Sequence, residues 1–261
     1  MKHLAFLSDF GLKDGYVAQM KAGALRFCDA NIIDISHDVE PQNIVEAAFI
    51  LRATCPFLPV GTVVVAVVDP GVGTSRKGLV ITTKHHILIG PDNGVLIPAA
   101  RHLGDFLVYE IQNQRLFQHP VSSTFHGRDI FAPVAAHILN GIPFDAIGPR
   151  ISRFVDMTFD DACIHDTTIV GKVLHIDRFG NVITNISEKL IRQHISTGST
   201  KPVELGGQKI DAFFCESYGF GQNNTVLGIV GSAGYLEFSL KQSSAAERFN
   251  LHVYDPVQIY L

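Results

Sequence analysis

The sequence predicts an α/β domain with a mainly parallel sheet, followed by a smaller domain built from β-strands. Apolar strand-length segments alternate with amphipathic helical segments up to about residue 150, which favours the α/β class. The run 62–68, TVVVAVV, is apolar and β-branched without alternation, as is typical of a parallel strand that helices cover on both faces. Short strands between turns follow from residue 169, and this spacing favours a small β-barrel or sandwich.

The elements of the first domain follow from their local patterns. Asp14 is expected to cap the first helix and Pro41 to open the second. Two further helices are predicted, over 93–103 and after Asp129, because apolar residues recur on one face of each. Strands are predicted at 3–7, 32–35, 62–68, 79–83, 87–89 and 106–111, with 79–83 and 87–89 forming a hairpin.

The texture of the sequence changes near residue 150. We predict an α/β domain over 1–150, a linker over 151–167 that contains Asp156, Asp160 and Asp161, and a second domain over 168–261. One helix is predicted in the second domain, over 188–194. Its strands are predicted at 169–176, 182–186, 209–214, 226–230, 235–240 and 257–261.

Composition argues against several classes of protein. The 261-residue chain has a net charge of −4 and no basic block, which argues against a nucleic-acid-binding surface. The four cysteines are far apart and form no C-x-x-C pair, so neither a zinc site nor a disulfide framework is expected. The first ten residues are too polar for a signal peptide, and no stretch approaches the roughly 18 apolar residues of a membrane span. We expect a reduced, soluble, cytoplasmic protein.

Two aspartates follow predicted strands of the first domain. Asp9 comes after the first strand and Asp69 after the buried run 62–68. Ligands of open α/β sheets bind at the carboxyl ends of the strands, so both carboxylates are candidate site residues. An Asp-Pro-Gly sequence is also ordinary turn chemistry, and a structural role for Asp69 stays open at this point.

A glycine-rich loop and a histidine of the first domain each have alternative interpretations. Gly71-Val72-Gly73 resembles part of a dinucleotide loop, but Arg76 stands where the third glycine belongs and no Walker motif follows. A loop that needs positive φ explains these glycines better. His126 precedes a predicted helix and carries a side chain that titrates near neutral pH, although a lone histidine is more often structural.

Two turns of the second domain are also ambiguous. The segment 177–181, DRFGN, suits a β-turn, and it equally suits a polar clamp beside an aromatic face that binds a flat heterocycle. The segment 231–237, GSAGYLE, has the same two interpretations.

Together these motifs resemble one family. They are SDFG at 8–11, DPGVGTSR at 69–76, FHGRD at 125–129, DRFGNVITNI at 177–186 and GSAGYLE at 231–237. The set is similar to the S-adenosylmethionine hydroxide adenosyltransferases, which are relatives of the fluorinase and the chlorinase. The resemblance implies an N-terminal α/β domain, a C-terminal β-barrel domain and a homotrimer with sites between subunits. It also implies hydrolysis of S-adenosylmethionine to adenosine and methionine, with no cofactor and no metal.

The resemblance assigns roles to particular residues. Asp69, Arg76 and His126 match the catalytic triad; Arg76 beside Asp69 would orient the water, and His126 would accept a proton or a hydrogen bond. The substrate-binding residues that it implies are Asp9 at the ribose hydroxyls; Asp177, Phe179 and Asn181 around the methionine amine and adenine; Tyr218 stacked on adenine; and Ser232 at the methionine carboxylate with Glu237 beside it. The halogenases have Arg where this chain has Ala233.

Three other functions compete with hydrolysis. The halogenases place Tyr, Thr and Ser at the positions of Asp69, Val72 and Gly127, and an anionic Asp69 would repel halide. A metal-dependent phosphoesterase would use Asp9, Asp69, Asp92 and His126, although the ligand spacing is not recognisable. A non-catalytic module that binds adenosine or S-adenosylmethionine is the third alternative.

Overall fold

The computed structural model describes residues 1–159, 161–221 and 224–261. The chain forms two compact units, Met1–Thr158 and Phe159–Leu261. The domain and linker boundaries at 150 and 168 stay a prediction, and Asp160 of the predicted linker lies outside the described residues. Within the described part of the chain, no helix combines the length and apolar character that crossing a bilayer requires.

A seven-stranded sheet forms the centre of the first unit in its described residues. The strands are β1 (His3–Ser8), β2 (Asn31–Ser36), β3 (Val63–Val67), β4 (Gly78–Thr83), β5 (Ile87–Pro91), β6 (Phe106–Glu110) and β7 (Arg150–Ile151). Their order is β2-β1-β3-β5-β4-β6-β7. The pairs β2/β1, β1/β3 and β3/β5 are parallel, whereas β4 pairs antiparallel with β5 and β6. The predicted α/β fold and the β4/β5 hairpin are confirmed.

Helices cover both faces of this sheet. They are α1 (Tyr16–Leu25), α2 (Ile44–Thr54), α3 (Ile97–His102) and α4 (Ala132–Leu139), with a π-helical turn at Gly127–Phe131. Strand β3 shows the two-sided burial most clearly. Val65 and Val67 pack with Met20 and Phe131 in one core layer. Val64, together with the residues two and four positions after it, packs in a second layer. The unalternating run that the sequence presents is therefore explained by burial on both faces.

Two predicted helix starts are wrong. Gly15, and not Asp14, occupies the N-cap of α1, and no side chain caps that helix. Helix α2 begins after Asn43, whose Oδ1 accepts a hydrogen bond from Glu46 N at 3.1 Å, and so it starts later than Pro41 predicts. Asparagine is among the strongest N-caps, and it decides the boundary here.

The predicted helix over 93–103 is shortened to α3. Asn93 Nδ2 donates to the carbonyl oxygen of Val68 at 2.7 Å, and Asn93 Oδ1 accepts from Val95 N at 3.2 Å. Gly94 has φ +95°, which an α-helix does not allow. Residues 93–96 therefore hold the end of β3 instead of adding a turn to the helix.

The second unit contains a closed barrel. Its strands are β8 (Cys163–His165), β9 (Thr168–Ile176), β10 (Val182–Ser187), β11 (Thr200–Leu205), β12 (Gln208–Phe214), β13 (Val226–Val230), β14 (Tyr235–Leu240) and β15 (Pro256–Tyr260). The order β10-β14-β13-β12-β11-β15-β9 closes through pairing of β9 with β10, and β8 adds to β9. Strands β12 and β13 pair in parallel, whereas their other neighbours are antiparallel. The predicted barrel is confirmed, and α5 (Glu188–His194) and α6 (Ala245–Phe249) complete the unit.

Strand β11 is absent from the sequence prediction. Its sequence, TKPVEL, contains a lysine, a proline and a glutamate, and little of it is apolar. Pro202 pairs opposite Asp211 of β12, while the pairing with β15 begins only at Val203. Proline lacks a backbone N–H, so it is tolerated in a strand where that N–H would have no partner strand to bond. Pro202 lies at such a position, because it is outside the pairing with β15.

Two loops that carry sequence motifs meet at Gly73. This residue has φ +78°, and a Cβ atom placed on it would lie 2.4 Å from the carbonyl oxygen of Ser123. Glycine is required there both for the backbone conformation and for the close approach of Ser123.

A matched pair of glycine substitutions separates these two requirements. Gly61 also has positive φ (+86°), but nothing lies within 4 Å of the position that a Cβ atom would take there. We expect Gly61→Ala to lower the free energy of unfolding by about 1 kcal/mol through backbone strain alone. Gly73→Ala should lower it by about 3 kcal/mol, because a steric clash adds to the strain. Urea denaturation of both variants measures this difference, and equal losses would contradict the close approach.

Candidate active site

A cleft of about 300 Å³ lies at the carboxyl ends of β1 and β3. Three of the predicted site residues line it: Asp9, Asp69 and His126. Its other described walls come from Phe10, Gln42, Val67, Pro70, Val72, Thr124, Phe125 and Gly127. The parallel side of the sheet therefore brings together polar groups from three separate motifs, as expected for strand ends that meet at one edge.

Arg76 binds both Asp69 and His126. Its Nε donates to Asp69 Oδ1 at 3.0 Å, and its Nη2 donates to Asp69 Oδ2 at 2.5 Å and to His126 Nδ1 at 2.7 Å. The Arg76 and Asp69 side chains are only 12% and 5% exposed. A fork of parallel N–H groups on a carboxylate is among the strongest polar contacts in proteins. Asp69 and His126 are both among the described residues that line the cleft. Arg76 contacts both of them but does not line the cleft itself.

The contact with Arg76 determines where His126 carries its proton. Arginine has only donors, so Nδ1 of His126 accepts the hydrogen bond and bears no hydrogen. The proton of the neutral imidazole then lies on Nε2. Burial lowers the pKa of His126, and the positive charge of Arg76 lowers it further against the opposite effect of Asp69. His126 is therefore a neutral hydrogen-bond donor at Nε2 in this arrangement.

The walls beside these polar groups are aromatic. The ring of Phe125 meets Phe10 and Tyr16 edge-on at 5.6 and 5.5 Å between centroids. The Arg128 guanidinium lies 4.9 Å from the Phe125 ring centre, and it forms an ion pair with the fully buried Asp129. Sequence reasoning did not single out Tyr16, which is separated from Phe125 by more than a hundred residues.

Asp9 is oriented by a backbone group. Its Oδ2 accepts a hydrogen bond from Gln42 N at 2.8 Å. Gln42 has φ +66°, an uncommon conformation for a residue other than glycine, and such outliers cluster at functional sites. Nothing in the local sequence distinguished Gln42, because its importance comes from the loop conformation.

A second cavity, of about 380 Å³, lies in the second unit. It is lined by Asp177, Phe179, Asn181 and Tyr218, together with Leu227, Leu240, Lys241 and Gln242. Asp177 Oδ1 accepts from the backbone N–H groups of Phe179 and Asn181, both at 2.9 Å, and Oδ2 accepts from Asn181 Nδ2 at 2.8 Å. The Asp177 carboxylate thus builds the turn, and the turn presents Phe179, which is 78% exposed.

Glu237 and Ser232 occupy different surroundings. The buried Glu237 accepts a hydrogen bond from the Tyr218 hydroxyl through Oε1, and it lies against Gly231. Burial raises the pKa of Glu237, and burial together with the neighbouring Glu237 carboxylate raises the pKa of Tyr218. Ser232 is exposed on the turn between β13 and β14 and is not among the residues that line the cavity.

The carboxylates of the metal hypothesis do not gather around one point. Asp9, Asp69 and His126 line the cleft, but Asp92 Oδ1 accepts a hydrogen bond from Val155 N at 2.7 Å. Over residues 1–159, 161–221 and 224–261, no three His, Cys, Asp or Glu side chains are placed to hold a metal ion.

Two family models match the chain. The one described as SAM hydroxide adenosyltransferase N-terminal domain matches residues 4–148, and the one described as SAM hydroxide adenosyltransferase C-terminal domain matches residues 171–258. Among solved structures, an uncharacterized conserved protein from Thermotoga maritima superimposes with a TM-score of 0.94 at 36% identity. The match covers 99% of this chain and 100% of that one.

Curated relatives match over nearly the whole chain. The (R)-S-adenosyl-L-methionine hydrolase of Methanocaldococcus jannaschii is 37% identical, covering 98% of this chain and 95% of that protein. The protein of the same name from Thermus thermophilus is 35% identical, covering 99% and 100%. A fluorinase from Nocardia brasiliensis is more distant, with 28% identity over 98% of this chain and 96% of its own length.

The protonation of His126 is open to direct measurement. We expect its pKa to lie below the ordinary value of 6.5, with the proton of the neutral ring on Nε2. Because the pKa is lower in the folded state than in the unfolded state, His126 contributes stability above the unfolded value that is lost as pH falls through the folded value. NMR titration with ¹⁵N-labelled histidine measures both quantities, and His126→Asn assigns the signal. A pKa above 6.5, or a proton on Nδ1, would contradict the arrangement.

Proposed function

The chain belongs to the S-adenosyl-L-methionine hydroxide adenosyltransferase family, and we therefore propose that it hydrolyses S-adenosyl-L-methionine to adenosine and L-methionine. The observation that carries this proposal is the hydrogen-bonded cluster of Asp69, Arg76 and His126, which opens on a cleft shared with Asp9. The relatives named (R)-S-adenosyl-L-methionine hydrolase add support.

The reaction needs a positioned nucleophile more than an acid. The oxygen of water attacks C5′ in line with the sulfonium, a C5′–O bond forms, and the electron pair of the C5′–S bond passes to sulfur. Methionine leaves as a neutral thioether, so no proton has to be delivered to it. Placing the water against C5′ in an enclosed site supplies much of the acceleration.

The hydrogen bonds of the cluster support distinct roles for its members. A water in the cleft donates a hydrogen bond to Asp69 and accepts one from Nε2–H of His126, and its proton passes to the Asp69 carboxylate as the C5′–O bond forms. Arg76 acts as a positioning residue that holds both side chains and orients the water through them.

We propose that Asp9 binds the ribose diol. Gln42 N–H occupies Oδ2, and Oδ1 accepts no hydrogen bond from the described residues. A carboxylate oxygen accepts hydroxyl hydrogen bonds strongly, so Oδ1 suits a sugar hydroxyl in the cleft.

The composition of the cleft favours water over halide as the nucleophile. Asp69, Val72 and Gly127, the three positions at which the halogenases carry hydroxyls, all line this cleft. None of the three offers a hydroxyl here, and the Asp69 carboxylate repels an anion in a partly buried site.

The second unit supplies the groups for adenine and methionine in this proposal. The exposed faces of Phe179 and Tyr218, which is 52% exposed, suit a flat heterocycle, and Asn181 lies beside them in the cavity. Ser232, exposed on its turn, is proposed at the methionine carboxylate, with Glu237 supporting Tyr218.

We also propose a homotrimer in which each active site combines the first unit of one subunit with the second unit of its neighbour. The support is the resemblance to the family and the division of the proposed residues between the two units. Light scattering should give three times the chain mass. Mixing Asp69→Asn subunits with Asn181→Ala subunits should give more activity than either impaired variant alone, and an active monomer would contradict the proposal.

Isotope labelling tests the reaction itself. In ¹⁸O-labelled water, S-adenosyl-L-methionine should give adenosine that carries the label in its 5′-hydroxyl, together with unlabelled methionine. Mass spectrometry of the nucleoside measures this. Formation of 5′-chloroadenosine in chloride buffer would favour the halogenase alternative, and binding without any product would favour the non-catalytic module.

Two isosteric substitutions separate catalysis from binding. Asp69→Asn removes the proton acceptor, so turnover should fall by about 10²-fold with little change in Kd. Asp9→Asn weakens charge-assisted hydrogen bonds to ribose, each worth roughly 1.5–3 kcal/mol, so Kd should rise at least tenfold. Single-turnover rates and calorimetric Kd values measure both, with the exposed Asp105→Asn as the control. A large rise in Kd for Asp69→Asn with unchanged chemistry would make Asp69 a binding residue.

A further inference from the structure

We propose that His37 is a positioning residue, which acts through Ser8 to aim the Asp9 carboxylate at the ribose of the substrate. The inference rests on the proposed function, because it takes Asp9 as the group that binds the sugar. It concerns a polar cluster beneath the cleft that the catalytic residues do not include.

The cluster is a continuous chain of polar contacts near the carboxyl ends of β1 and β2. Ser8, at the end of β1, is 0% exposed, and its Oγ lies 2.7 Å from His37 Nδ1. Nε2 of the buried His37 lies 3.1 Å from Asp34 Oδ1, and Lys21 Nζ donates to Asp34 Oδ2 at 2.6 Å. Buried polar groups are costly unless they are paired, so each link stabilises the next.

The contacts of His37 fit the tautomer that carries its hydrogen on Nε2. The Asp34 carboxylate accepts from Lys21, so Nε2 of His37 is the donor in the contact with Asp34. With the hydrogen on Nε2, Nδ1 is the acceptor and Ser8 O–H donates to it. Ser8 Oγ in turn receives the backbone N–H of Phe10 at 3.4 Å.

His37 therefore holds the segment 8–11 at both ends. Its ring fixes Ser8, and its carbonyl oxygen accepts the N–H of Gly11 at 2.8 Å. Gly11 turns the chain with φ +65°. Asp9 lies between these two anchors, with Oδ2 held by Gln42 N–H. The direction of Oδ1 is consequently set by the cluster before any ligand arrives.

The order Ser8, His37, Asp34 resembles the triad of a serine hydrolase, but its burial argues for a different role. A nucleophilic serine must reach the substrate. Ser8 has no exposed surface, and among the described residues it does not line the cleft, whereas its neighbour Asp9 does. The cluster is built to orient its neighbour and not to attack.

Deoxynucleosides provide the test, because they report on the diol contact alone. Calorimetry compares Kd for adenosine, 2′-deoxyadenosine and 3′-deoxyadenosine. The unaltered protein should discriminate against one or both deoxynucleosides by about tenfold or more, the effect of one charge-assisted hydrogen bond. Ser8→Ala should bring the Kd values for adenosine and the deoxynucleosides within about twofold of each other. KM should rise about tenfold, and kcat should fall much less.

Variants at position 37 separate the link to Ser8 from the link to Asp34. His37→Asn places an amide oxygen near the position of Nδ1 and retains an acceptor for Ser8, so it should keep most of the discrimination. His37→Gln reaches toward Asp34 and loses the link to Ser8, so it should lose the discrimination. Ser36→Ala, which removes the hydroxyl that accepts from Asp38 N in the same loop, is the matched control and should keep it.

The outcomes distinguish this inference from the proposed function. If Asp9→Asn keeps the discrimination, Asp9 does not bind the diol, and both proposals for this residue fail. If Asp9→Asn abolishes the discrimination while folded Ser8→Ala and His37→Gln retain it, only the role of His37 is overturned. Circular dichroism at the assay temperature establishes folding, and the two His37 variants decide the matter if Ser8→Ala does not fold.

Discussion

The guanidinium group of Arg76 joins segments that are distant in the chain. It binds Asp69 at the end of β3 and His126 at the start of the π-helical turn, and it lies 5.1 Å from the centre of the Phe131 ring. The ion pair keeps a carboxylate at the cleft with only 5% of its side chain exposed. Without this counter-charge the buried carboxylate would be strongly unfavourable, and the loop after β3 would have to rearrange.

A carboxylate also stabilises a loop in the second unit, but its hydrogen-bond partners there are uncharged. The carboxylate oxygens of Asp177 accept hydrogen bonds from N–H groups of its own turn, and the turn leaves the Phe179 side chain exposed. Its motif thus forms the β-turn that the sequence allowed, and this turn presents the aromatic face on which the proposed binding role depends. In both units an acidic residue stabilises the loop that carries it.

Prediction from sequence succeeded where the information was local or periodic. The buried run of β3, the β4/β5 hairpin and helix α5 follow from patterns a few residues long. Prediction failed where a specific contact in the folded chain determines where an element begins or whether it forms. Asn43 displaces the start of α2, and β11 persists in spite of Pro202 because both neighbouring strands pair with it. Gln42 lines the cleft only through its loop conformation, and Tyr16 meets the cleft residue Phe125 only through packing, which no sequence period encodes.

The parallel pairing of β12 with β13 limits how the chain can change in length. Two parallel neighbours cannot be joined by a tight turn, because the chain must travel back along the barrel before the second strand begins. Tyr218 lies in the sequence between these two strands. Deletions there would shorten a path whose span is set by strand length, at roughly 3.3 Å per residue. The loop that carries Tyr218 can therefore lose few residues without separating the ends of β12 and β13.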